Sequence, residues 1–163
     1  MTYRVCFVCT GNICRSPMAE SVFRARVAEA GLDGLIEVDS AGTGGWHEGD
    51  PADPRTAAVL EEHGYDSAHT ARQFRASWFA RLDLVVALDE GHLRALRRLA
   101  PTERDAAKVR LLRSYDPAAH DDLDVPDPYY GGTEGFEECL AMVEAASGGL
   151  LDAVRQEAGE RAA

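Results

Sequence analysis

Three cysteines crowd into nine residues near the start of the chain, within VCFVCTGNICRSPMAES at residues 5–21. Three chemistries use such a stretch: a metal knuckle, a disulfide framework, or a loop that holds an anion against a reactive thiol. Cys6-x-x-Cys9 has knuckle-like spacing, and Cys9-x4-Cys14 adds a further candidate ligand. But Cys6 and Cys9 are three apart in or beside a β-rich run, so their side chains point to opposite faces. No His or Cys pair elsewhere in the sequence matches a zinc pattern, and no metal is expected. A redox Cys-x-x-Cys pair follows a strand and opens a helix, whereas Cys6 lies inside the strand. Cys6 therefore reads as core.

The anion loop fits better. Cys9 stands where the strand ends, Arg15 follows in a Cys-x5-Arg spacing, and Ser16-Pro17 reads as the N-cap and first residue of a helix. Thr10, Gly11, Asn12, Ile13 and Cys14 then wrap a loop whose backbone N–H groups point inward, ending at the positive pole of that helix. Gly11 permits a tight bend and close backbone approach, and Asn12 tolerates a left-handed conformation. Arg15 offers a planar fork matched to two phosphoryl oxygens. Such surroundings favour the thiolate at Cys9. Ser16 can donate a hydrogen bond to it, cap the helix, or do both. A phosphoryl group held in line with a thiolate implies transfer to sulfur, then hydrolysis.

Expelling an alkoxide or phenoxide requires a proton donor. Residues 114–132 form a loop rich in Asp and Pro that contains Asp127-Pro128-Tyr129-Tyr130. Asp116, Asp121, Asp122 and Asp124 read as solvated. Asp127 is set apart by aromatic neighbours expected to shield it, although Asp-Pro is also a common turn.

These groups need a scaffold. The chain has 163 residues, 45 % of them hydrophobic, which suits one domain with one core. Strand-like runs at residues 3–8, 35–38, 82–88 and 109–112 alternate with helical patterns. The first helix stops near Gly31. The second opens at Asp53-Pro54 and ends at Gly64. A third covers residues 91–99, and a last starts near Thr133, where Gly148-Gly149 is a candidate bend. Residues 1–158 read as a single domain and 159–163 as a frayed end. The alternation predicts an α/β fold with a parallel sheet covered on both faces, and ligands in such sheets sit at the carboxyl ends of the strands.

A formal net charge of −11 argues against nonspecific nucleic-acid binding, so any anion must be held by a local site. No stretch approaches the roughly 20 apolar residues of a membrane span, and the N-terminus lacks a signal-peptide pattern. A cytoplasmic protein with reduced thiols is expected.

Cys9-Thr10-Gly11-Asn12-Ile13-Cys14-Arg15-Ser16-Pro17 together with Asp127-Pro128-Tyr129 resembles the low-molecular-weight protein tyrosine phosphatases. The likeness runs nearly end to end, through Asp39-Ser40-Ala41-Gly42-Thr43, Trp46-His47, Asp53-Pro54-Arg55, His69-Thr70-Ala71-Arg72 and Leu88-Asp89. The late Asp-Pro is distinctive, since the acid precedes the nucleophile in other cysteine phosphatases. The resemblance implies a three-layer sandwich with a central four-stranded parallel sheet flanked by helices, a phosphate-binding loop after strand 1, and no cofactor.

It also implies that Cys9 is the nucleophile, Arg15 the clamp and Asp127 acid then base, acting on phosphotyrosine or small aryl phosphate monoesters through a cysteinyl phosphate. Asn12 would hold the loop's shape with Ser40 and His69, and Trp46, Tyr129 and Tyr130 would wall a slot for the phosphotyrosine ring. A deep slot keeps a short phosphoserine from the thiolate. The implied partners are phosphotyrosine-containing proteins, with inorganic phosphate or other oxyanions as product or inhibitor. A monomer is expected, with no nucleic acid and no membrane.

Cys14 either fills the loop interior or acts as a resolving thiol for Cys9 under peroxide, a role the family supports. Cys139 reads as core. Leu88-Asp89-Glu90-Gly91-His92 departs from the family, many of whose members have methionine-aspartate and a later asparagine there. His47 and Glu48 stand in a variable rim. Both departures bear on substrate preference. An arsenate reductase on the same fold is disfavoured, because that reaction needs further cysteines after the third strand and residues 83–93 have none. A phosphocysteine carrier has no need of Arg15 and Asp127, and a silent phosphate-binding module would lack the thiol or the acid.

Overall fold

β1 (Tyr3–Cys9) is almost wholly buried because it has a strand on each side. The computed structural model describes residues 2–162. β1 pairs in parallel with β2 (Ile36–Gly42) and with β3 (Leu84–Ala87), and β4 (Val109–Leu111) completes the order β2-β1-β3-β4. The register sets Cys9 opposite Gly42 and Val8 opposite Ala87. The carboxyl ends of the three longest strands thus meet at one edge, where the order reverses between β1 and β3 and a crevice opens.

Helices cover both faces. α1 (Arg15–Glu29), α2 (Pro54–Glu62) and α5 (Thr133–Ala162) pack with Val5, Phe7 and Cys9 of β1. α3 (Glu90–Leu99) shares the opposite core with Cys6 and Val8. Cys6 and Cys9 therefore lie on opposite faces, as their spacing requires. α4 (Glu103–Ala106), a single turn capped by the Thr102 hydroxyl on the Asp105 N–H, has no counterpart in the sequence reading. Two 3₁₀ turns, Ala76–Ala80 and Leu112–Tyr115, complete the chain.

Several boundaries differ from expectation for identifiable reasons. β2 runs on to Gly42, because the small residues Ser40, Ala41 and Gly42 continue its pairing after the apolar pattern stops. α1 begins at Arg15 with Cys14 at the cap position, so Ser16 is inside the helix and does not cap it. Pro17 then stands third, still within the first turn, where a missing N–H costs nothing. Gly31 (φ 71°) and Gly64 (φ 82°) end α1 and α2 as expected. α5 is one continuous helix that runs through Gly159 to Ala162, past the point where fraying is expected; Ala163 lies outside the described residues.

Gly148-Gly149 does not divide α5. A Cβ on Gly149 would lie 2.1 Å from the Tyr115 carbonyl oxygen, so the missing side chain lets the helix touch the backbone after β4. Gly149→Ala is expected to force these segments apart at about 1–3 kcal/mol, lowering the melting temperature by several degrees. An unchanged thermal unfolding midpoint would show that the contact yields freely.

Candidate active site

The loop after β1 turns on Asn12, not on Gly11. Asn12 has φ 59°, the left-handed value among the non-glycine residues described, whereas Gly11 keeps a negative φ. The asparagine amide meets all its partners. Its Nδ2 donates to Ser16 Oγ at 2.8 Å and Ser40 Oγ at 3.0 Å, and its Oδ1 accepts from the Arg72 N–H at 2.9 Å. His69 Nε2 donates to the Asn12 carbonyl at 2.6 Å, and burial pushes that imidazole below its ordinary pKa. Asn12 is fully buried, so an unmet bond there carries the full desolvation cost. The close approach is granted by Gly42, where a Cβ would stand 2.7 Å from the Thr10 carbonyl and 3.1 Å from the Asn12 nitrogen.

The same network reaches the thiol. Ser16 Oγ, which accepts from Asn12, lies 3.0 Å from Cys9 Sγ and 3.3 Å from the Ala41 carbonyl. Its single proton has two acceptors within reach, the Ala41 carbonyl and a sulfur anion at Cys9. At the far end, Ser40 Oγ donates to Glu20 Oε1 at 2.5 Å. Burial pushes the Cys14 and Cys139 thiols up to about 12 and raises Cys6 well above its ordinary value, which keeps all three protonated.

Arg15 opens α1 with its side chain only 4 % exposed. Nη1 donates to Asp89 Oδ2 and to the Val125 carbonyl, both at 2.8 Å. Nη2 lies 3.4 Å from His92 Nε2 and 3.8 Å from Asp127 Oδ2. Burial disfavours the Asp89 anion, but the His92 N–H and Arg15 outweigh it and hold this carboxyl below the usual range. The other Asp89 oxygen caps α3 through that N–H at 2.9 Å.

The acid-bearing loop hangs on the turn between β3 and α3. Val125 N–H donates to the Leu88 carbonyl at 2.8 Å, and Glu90 N–H donates to Asp124 Oδ1 at 2.9 Å. Asp124 is thus a tether, contrary to its reading as solvated. Asp127 Oδ1 accepts from the Tyr129 N–H at 3.1 Å, so the residue forms the Asp-Pro turn while Oδ2 faces the clamp. Its side chain is 42 % exposed; the tyrosines do not shield it. Tyr129 and Tyr130 pack edge to face at 5.0 Å, and Arg55, paired with Asp53, lies over the Tyr129 and Phe136 rings.

Cys9, Thr10, Gly11, Ile13, Cys14, Arg15, Trp46, Asp127, Tyr129 and Tyr130 line one cavity of about 350 Å³, together with His47. Asn12, Ser16, Ser40 and His69 stand behind the loop. Trp46 is 75 % exposed and Tyr130 is 90 % exposed, so these two rings form a rim. Glu20, Arg72, Asp89, Asp124, Arg55 and His92 take no site role in the sequence reading. Arg55, Arg72 and Asp89 stand in segments that carry the resemblance, and His92 in the departure after β3.

A buried thiol, a loop that ends at a helix N-terminus, a guanidinium and a carboxylate line one cavity, a set that suits phosphoryl transfer of the cysteine-dependent class. Comparison with known proteins narrows this. Residues 4–160 match the model of the low molecular weight phosphotyrosine protein phosphatases. The chain is 80 % identical, over the full length of both, to a low molecular weight protein-tyrosine-phosphatase of Streptomyces coelicolor. It is 52 % identical to low molecular weight protein-tyrosine phosphatase A of Mycobacterium tuberculosis, over 91 % of this chain and 89 % of that protein. A crystal structure of protein tyrosine phosphatase from Entamoeba histolytica, with Hepes in its active site, superimposes with a TM-score of 0.91 at 33 % identity, covering 96 % of this chain and 99 % of that one. The chain belongs to the low molecular weight phosphotyrosine protein phosphatase family.

Asn12 combines a backbone role and an amide role, and two substitutions separate them. Asn12→Gly keeps the left-handed backbone and removes the amide, which takes one bond each from Ser16 and Ser40 and takes from the Arg72 N–H its acceptor, at about 1–3 kcal/mol for a buried group left unmet. Steady-state kinetics are expected to show a large loss in both Asn12→Gly and Asn12→Ala. Near-normal turnover by the glycine variant would reduce Asn12 to its backbone conformation.

Proposed function

We propose that the chain hydrolyses phosphotyrosine monoesters through a cysteinyl-phosphate intermediate, with Cys9 as nucleophile, Arg15 as clamp and Asp127 as acid, then base. One observation carries this reading: Cys9, Arg15 and Asp127 converge on a single cavity walled by aromatic rings. The loop amides and the open edge of Arg15 receive the phosphoryl oxygens. Cys9 sulfur attacks phosphorus, the P–O bond to the tyrosine breaks, and the departing phenoxide takes a proton from Asp127. Water then attacks phosphorus as Asp127 recovers a proton from it, the S–P bond breaks, and phosphate leaves.

Ser16 stabilises the sulfur anion, both as it waits and as it departs. The nucleophile is 3 % exposed, at the floor of the cavity, while the aromatic rim stands at its mouth. That depth suits a phosphate carried on an aryl ring better than one on a serine. The names of the relatives support phosphoproteins as substrates. Inorganic phosphate and similar oxyanions follow as product and competing ligands. One chain supplies the whole cavity, which supports a monomeric enzyme. Among the described residues no helix is long and apolar enough to cross a membrane, which accords with a cytoplasmic location. The segment after β3 carries no cysteine to relay a disulfide, which disfavours arsenate reduction.

The test is hydrolysis of aryl phosphates and a phosphotyrosine peptide. Cys9→Ser is expected to lose turnover while still binding phosphate, because an alcohol there is far less ionised. Asp127→Ala is expected to slow phosphotyrosine by roughly 10²–10⁴-fold, and activated aryl phosphates much less. Steady turnover by Cys9→Ser would refute the nucleophile, and equal losses on both substrates would remove the acid.

Cys14 supports a protective role in the same loop. Peroxide converts the Cys9 thiolate to a sulfenic acid; the Cys14 thiol then attacks that sulfur, water leaves, and a disulfide forms. Burial keeps Cys14 protonated, so Cys9 reacts first. After peroxide and then dithiothreitol, the wild type is expected to regain most activity and Cys14→Ser markedly less; equal recovery would refute the role.

A further inference from the structure

We infer that His92 is a positioning residue of this site, its Nε2 serving as the shared hydrogen-bond acceptor that holds the Arg15 guanidinium and the Thr10 hydroxyl in register. The inference rests on the phosphoryl-transfer reading above and adds a member to its machinery. His92 stands in the first turn of α3, 5 % exposed, behind the cradle and away from the rim. Its Nε2 lies 2.8 Å from Thr10 Oγ1 and 3.4 Å from Arg15 Nη2. It thereby joins the first residue of the loop to the residue that closes it.

The neighbours fix the tautomer. A guanidinium can only donate and a carboxylate can only accept. Arg15 faces Nε2, and Asp89 Oδ1 lies 3.3 Å from Nδ1. The proton therefore belongs on Nδ1, which leaves the Nε2 lone pair to accept from Thr10 and Arg15. Nδ1 is buried and makes no hydrogen bond, since Asp89 Oδ1 is aligned instead on the His92 backbone N–H. A buried donor left unmet is costly. The ring keeps this orientation because of what Nε2 accepts.

The consequence for the clamp is specific. Arg15 Nη1 commits its two protons to Asp89 and Val125. Nη2 is the nitrogen left to turn toward a phosphoryl oxygen, and His92 offers an acceptor for one of its protons, leaving the other for the ligand. The charged groups facing His92 are Arg15 from α1, Asp89 from its own turn, and Asp124 and Asp127 from the acid-bearing loop. Burial, then Arg15, pushes the imidazole down to about 4. An imidazolium would lose the Nε2 lone pair and set a second cation against the clamp, so acid releases the arrangement.

The experiment has two parts. Histidine ¹⁵N NMR of the wild type without ligand, at neutral pH, is expected to show His92 neutral and protonated on Nδ1. A proton on Nε2, or an imidazolium, would overturn the inference. Inorganic phosphate binding is then measured by calorimetry for the wild type, His92→Ala and His92→Asn. Loss of an acceptor shared with a charged donor is expected to weaken binding roughly tenfold or more in His92→Ala. The amide oxygen of asparagine accepts but does not titrate, so His92→Asn is expected to recover to within about threefold. Between about pH 6 and about pH 4 it is also expected to lose less affinity than the wild type, whose imidazole is pushed down to about 4. Wild-type affinity in His92→Ala, an asparagine variant as weak as the alanine one, or superimposed pH profiles would each overturn the assignment. A wild type that binds no phosphate would refute instead the reading on which it rests.

Discussion

A guanidinium cannot be taken out of water without an anion and a full set of acceptors. The burial of Arg15 is the constraint from which the rest of this site follows. Asp89 provides the counter-charge and Val125 a carbonyl, so the start of α1, the turn after β3 and the loop after β4 must meet at one point. Each of those segments brings something else with it. α1 brings its N-terminus and Ser16, the turn brings His92, and the late loop brings Asp127 two residues beyond Val125. The buried guanidinium thereby gathers around one cavity residues that lie more than a hundred positions apart.

The second requirement is a backbone turned inward without collapse. Asn12 meets it by accepting a left-handed conformation and filling every hydrogen bond its amide can make. The small end of β2 meets the rest of it, because any side chain at residue 42 would strike the loop. Rigidity comes from a chain of hydrogen bonds in which the Asn12 amide donates both ways, through Ser40 to the Glu20 carboxylate and to Ser16 beside the sulfur. Preorganised donors of this kind need no rearrangement when charge develops.

Much of this was legible in the sequence, because the elements announce themselves through short-range chemistry. Apolar runs mark three buried strands closely, Asp53-Pro54 and Gly64 bracket α2, and Cys9, Arg15 and Asp127 stand in a spacing that one family shares. Contacts between distant segments were hidden. Of the two uses expected of Ser16 the contact with Cys9 is present and the cap is not, and only its bond from the Asn12 amide was unforeseen. Asp124 looks like another solvated carboxylate until the turn after β3 is beside it. Gly148-Gly149 looks like a bend, although its meaning lies in the Tyr115 backbone. His92 was visible only as a departure, and burial beside Arg15 gives it meaning.

Asp127 Oδ2 lies 3.8 Å from Arg15 Nη2. On the proposed reading, that carboxylate and an incoming phosphoryl group compete for the same edge of the guanidinium.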